Sequence, residues 1–151
     1  MLEQTTMSDL KEWLSLRGPA VAQVLAAERE GICALVTARL ERAFPDLCDD
    51  PARPDRAAFR RTTVERSPQR LHALVRLALM SRSLAVIGRE YLWLWGVVQR
   101  YGVEPRHLLG MAGWYFNAAR DLPALAADRL GMMALKRAVI GVIRETTSGG
   151  T

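Results

Sequence analysis

The chain has 151 residues, half of them apolar, and a formal charge of +5 carried almost wholly by arginine, with Lys11 and Lys136 the only lysines. That length holds one domain with a hydrophobic core rather than two. Abundant Ala, Leu, Arg and Glu beside few aromatic and β-branched runs predict an all-α chain, and the alternation of arginine with acid in Glu28, Arg29, Glu30 and in Arg39, Glu41, Arg42 predicts solvated helix faces rather than a nucleic-acid-binding block.

Cys33 and Cys48 have neither CxxC spacing nor a neighbouring histidine, so no zinc or redox motif is indicated, and Cys33 reads as a core thiol. The most apolar window, YLWLWGVV at 91–98, is far short of the ~20 residues that span a bilayer. The N-terminus shows no leader pattern. A soluble cytoplasmic protein of bacterial composition, without membrane insertion, is expected.

In chain order, a short helix is predicted from Met7 to Leu16, with Ser8 or Asp9 as cap and Leu10, Trp13 and Leu14 on one side, ended by Gly18-Pro19. A long helix then runs from Pro19 to Phe44 through Val21, Val24, Leu25, Ile32, Leu35, Val36 and Leu40. Residues 45–55, with three prolines and four aspartates, form an irregular connection. Asp55 is placed to cap a short basic segment containing Phe59, and Ser67-Pro68 to start the next helix, which buries Leu71, Leu74, Val75, Ala78 and Leu79.

Ile87, Tyr91, Leu94, Trp95 and Val98 then recur at helical spacing, so Val98 points inward. Gly102 suits a left-handed helix cap, and Glu104-Pro105 opens a helix carrying Leu108, Leu109, Ala112, Tyr115, Phe116 and Ala119. After the break at 121–123, the last helix is predicted from about Pro123 to Arg144, burying Leu125, Leu130, Met133, Ile140 and Ile143. Residues 1–146 form the domain and 147–151 a flexible tail or the start of a linker. Six to eight helices of unequal length with proline corners fit globin-like packing better than a symmetric four-helix bundle.

The corner VVQRYGVEPRHLL, 97–109, resembles the turn between the sixth and seventh helices of bacterial globins and of the globin domains of globin-coupled sensors. AFPDL at 43–47 is a second point of similarity, and the resemblance threads through most of the chain. Counted back from Gly102, the family's iron-binding histidine falls on Val98, which has no lone pair to offer iron. The resemblance therefore implies a retained pocket without its ligand, lined by Leu74, Tyr91, Leu94, Trp95, Val98, Leu108 and Ala112. His72, on the helix that would pass over the opposite side of a haem, is the replacement candidate; His107 sits where bacterial globins often carry a histidine that binds no iron.

No Ser-His-Asp, Cys-His or paired-carboxylate arrangement is present to carry catalysis, so an enzyme is not expected. GMAGWYF, 110–116, suits either a close helix crossing at Gly110 and Gly113 or a plain core segment. Trp93 and Trp95 point to different sides of one helix: Trp95 is assigned to the pocket, and Trp93 to a surface or interface. In the resembled sensors the last two helices pair between subunits, which implies a homodimer through 105–120 and 123–144; the interface set is Trp93, Gly110, Gly113, Trp114, Met133 and Ile140.

The expected function is a haem-free sensor or regulatory domain that signals through a helical dimer interface, to an output domain or a signalling partner. It takes no cofactor; a small apolar ligand is expected, such as an apolar anion with Arg60 or Arg61 near the mouth. The alternatives are a haem-binding gas sensor ligated by His72, and a basic regulator binding nucleic acid through Arg53, Arg56, Arg60, Arg61, Arg66 and Arg70. That last segment lacks a recognition-helix signature.

Overall fold

Gly18-Pro19 does not end the first helix. In the computed structural model, which describes residues 7–149, α1 runs from Met7 to Ala27 with Pro19 inside it. The break comes at Glu28, and α2 spans Arg29–Ala43. The long helix expected from Pro19 to Phe44 is thus two, divided at a residue that carries no turn signal. A short α3, Pro45–Cys48, occupies the start of the expected irregular connection.

Asp55 makes no side-chain cap, and Ser67-Pro68 is not a helix start. α4, Arg56–Phe59, continues through a wide π turn at Arg60–Glu65 into α5, Arg66–Ser81. Proline at 68 removes the donor that a regular helix would offer to the carbonyl of Val64, and the wide turn just before it accommodates the misfit. The Ser67 hydroxyl bonds back to the Thr63 carbonyl instead of capping.

α1 and α5 explain why Gly18-Pro19 is where it is. A Cβ at Gly18 would overlap the Leu79 carbonyl oxygen, so glycine allows the two helices to cross almost backbone to backbone. Pro19 deprives the Ser15 carbonyl of its intrahelical donor. Arg82, with φ of 56° at the left-handed end of α5, donates Nε–H to that carbonyl at 3.1 Å.

α6 spans Ala85–Val98 and is followed by a 3-10 turn, Gln99–Tyr101. Gly102 then takes the left-handed conformation, φ 84°. α7 runs Pro105–Arg120, and a second 3-10 segment, Pro123–Asp128, leads into α8, Arg129–Ser148. Leu125 has non-helical dihedrals, so helical phase is reset before α8 begins. Leu130, predicted buried, is 76% exposed because it lies on the face of α8 opposite Met132, Leu135, Val139 and Ile143, which face the core. Met133 and Ile140 are half-buried, and Thr147 and Ser148 complete the helix.

The chain is all-α among its described residues. α1 packs on α5, α2 on α7 and α5, α6 and α7 on α8, and α1 also meets α8. One contiguous apolar core draws on all of these, with Val21, Leu25, Val75, Leu79, Phe116 and Leu135 fully enclosed. At the α1–α8 junction Asp128 accepts from Trp13 Nε1 at 3.1 Å and from two nitrogens of Arg17 at 3.0 Å. Among the described residues no helix is long and apolar enough to cross a membrane.

Candidate functional site

The π turn and α5 form one wall, and α6 another, of a cavity of about 310 Å³. Its interior is apolar: Phe59, Leu71, Val103, Leu108 and Met111 are buried along it. Leu74, Leu94 and Val98 line it as half-buried residues, and Tyr91 lines it at 2% exposure. The rim is polar, and there Arg70 and Glu90 face each other at 3.5 Å.

Of the residues assigned to a pocket from sequence, Leu74, Tyr91, Leu94, Val98 and Leu108 come together here. Trp95 and Ala112 do not: Trp95 packs half-buried against the core and Ala112 lies wholly within it. Phe59, Met111 and the Arg70–Glu90 pair went unassigned. Phe59 and Met111 look like ordinary core residues in sequence, and the ion pair joins positions 20 residues apart on different helices.

Neither histidine lines the cavity. His72 is 1% exposed with Nδ1 2.9 Å from the Tyr115 hydroxyl, and its Nε2 has no partner among the described residues. Burial, with Arg76 and Arg29 adding to it, pushes the imidazole pKa down to about 4, so it is neutral at pH 7. His107 serves the start of α7: its Nδ1 accepts the Glu104 backbone N–H at 2.9 Å, completing a capping box with the Glu104 side chain. With Nδ1 accepting, the proton of neutral His107 sits on Nε2.

The two stretches that carry the globin resemblance meet in space. Phe44 presents its edge to His107 with ring centroids 4.6 Å apart, and Arg106 bonds Asp46 at 3.0 Å while lying over the Phe44 ring. Gly110 belongs to the same cluster, since a Cβ there would press on Phe44 and Trp114 at 3.2 Å. Gly110 therefore seats the chain's own phenylalanine. Gly113, by contrast, has open space over it, Trp114 is half-buried, and Trp93 is 56% exposed with the Arg70 guanidinium 5.4 Å from its ring.

The arginines of residues 53–70 are largely committed to the fold. Arg53 bonds the Tyr101 carbonyl at 2.8 Å and stacks on Phe59, Arg56 pairs with Asp49, Arg60 with Glu41 and Glu65, and Arg70 with Glu90. Arg60 and Arg61 do not line the cavity; the lining cation is Arg70. No group of three or more metal-ligating side chains occurs among the described residues. Compared with family models, curated proteins and solved structures, the chain matches none.

Proposed function

We propose that this chain is a non-catalytic, haem-free, globin-like sensor domain, in which a small apolar molecule held between α5, α6 and α7 biases the pairing of two copies through α7 and α8. The observation that carries this reading is that Val98, which the sequence resemblance sets at the globins' iron-binding position, lines the cavity, while neither histidine does. The pairwise packing of α1 on α5, α2 on α7, and α6 and α7 on α8 supports a globin-like arrangement. A ligand acts on such a domain only through different affinities for its two packings. Gly113, with nothing over it, and half-buried Met133 and Ile140 give α7 and α8 a face suited to a second copy.

Two measurements on the purified protein test the reading: the visible spectrum during a haemin titration, and sedimentation velocity at micromolar concentration. A folded dimer with no sharp, saturable Soret band is expected. A saturable band that disappears in His72→Ala would instead establish the haem-binding alternative, and a monomer would remove the coupling through α7 and α8.

A further inference from the structure

We propose that the ligand of this cavity is an uncharged apolar molecule of about ten to twelve heavy atoms, carrying one hydrogen-bond acceptor that the Tyr91 hydroxyl engages. The inference rests on the cavity reading above and names its ligand chemistry.

Size comes from volume. At the ~30 Å³ that a water occupies in the liquid, about 310 Å³ holds roughly ten small heavy-atom groups. Polarity comes from the walls, where Phe59, Leu71, Leu108 and Met111 leave little for a polar guest to bond. Met111 adds an adaptable thioether that follows the outline of an apolar guest.

Most of the lining polar groups are already engaged. The Thr62 hydroxyl donates to the Ala58 carbonyl and the Ser67 hydroxyl to that of Thr63. Arg70 and Glu90 hold each other at the rim, where Asp55 adds a second acid and Thr63 and Tyr101 stand part-exposed or exposed. Tyr91 differs from all of these. It is 2% exposed, it lines the cavity, and its hydroxyl makes no hydrogen bond among the described residues.

The Tyr91 hydroxyl is not among the buried polar atoms that lack a partner, so its oxygen keeps accessible surface where the residue lines the cavity, and there it is free to donate to an acceptor on a guest. Burial also holds the Tyr91 phenol protonated far above neutral pH, so it is a donor at every physiological pH. An ionised ligand is disfavoured by the same walls: the lining set has one cation, which Glu90 already holds, and two acids. Desolvating a carboxylate there goes uncompensated. The apolar anion expected from sequence therefore gives way to a neutral ketone, ester or similar molecule.

Titration calorimetry at pH 8 with 2-decanone and with decanoate tests this on the wild-type chain, Tyr91→Phe and Val98→Trp. The ketone is expected to bind one to one, at least tenfold more tightly than decanoate, to weaken about tenfold in Tyr91→Phe, and to be lost in Val98→Trp, whose indole fills the cavity. Infrared spectra of the bound ketone on wild-type protein give a readout that needs no variant: its carbonyl stretch should move to the lower frequency of a hydrogen-bonded ketone. Decanoate binding as tightly as the ketone, an unshifted carbonyl band, or undiminished affinity in a folded Tyr91→Phe would overturn this ligand chemistry and leave the cavity reading intact. Failure of both probes to bind the folded wild-type chain, or retention of ketone binding in Val98→Trp, would overturn the cavity reading as well.

Discussion

His72 shows how one buried side chain sets a pH limit on the fold. The unfolded chain takes up a proton near pH 6.5, whereas folded His72 resists it down to about 4, so acid favours the unfolded chain between those values. Its contribution is fully present above 6.5 and is lost as pH falls toward 4, a loss on the order of 2 to 3 kcal/mol. His72→Gln keeps a hydrogen-bonding group beside Tyr115 and removes the titration. Urea unfolding at a series of pH values should show a shallower decline between 6.5 and 4 in the variant; an identical slope would place the sensitivity elsewhere. Asp128 acts at lower pH: its hydrogen bond to Arg17, with help from Trp13, holds its carboxyl below the usual range.

At the scale of elements, the crossing of α1 over α5 depends on three residues. Gly18→Ala drives a methyl group into the Leu79 carbonyl, and because that atom is backbone the helices must move apart. A loss of about 2 kcal/mol or more is expected in chemical unfolding, as for other overpacked sites. Pro19 and Arg82 form a compensated pair, since Pro19 leaves the Ser15 carbonyl without its donor and Arg82 supplies one. Pro19→Ala should therefore lessen the cost of Arg82→Gly, and a double-mutant cycle should give a coupling of roughly 0.5 to 1 kcal/mol rather than additivity.

This crossing also marks what the sequence made legible. Gly102 and Glu104-Pro105 declare their geometry by residue type, and Tyr91, Leu94 and Val98 fall on one wall because a single helical period relates them. Gly18-Pro19 reads equally as a stop and as a close crossing, and only Leu79, 61 residues beyond Gly18, distinguishes the two. In α8 the predicted stripe mixed two faces, since Leu130 stands on the side of the helix opposite Ile143. Phe59, Met111 and the Arg70–Glu90 pair join the cavity from separate elements, whose mutual placement no local pattern carries.

Across the whole molecule, the first and last long helices are joined at Asp128, which is 3% exposed and is held by Trp13 and by Nε and Nη2 of Arg17. Asp128→Ala leaves the Trp13 indole N–H unpaired and should lower stability by about 2 kcal/mol, read as a lower denaturant midpoint with an unchanged slope. Trp13 and Asp128 are 115 residues apart in the chain. Their bond closes a loop containing most of the protein, so ordering that loop must precede any reward from the contact. In a stopped-flow refolding trace, the change in Trp13 fluorescence, isolated by subtracting a Trp13→Phe trace, should belong to the slowest conformational phase: this indole serves as a clock for the moment the chain's two ends find each other.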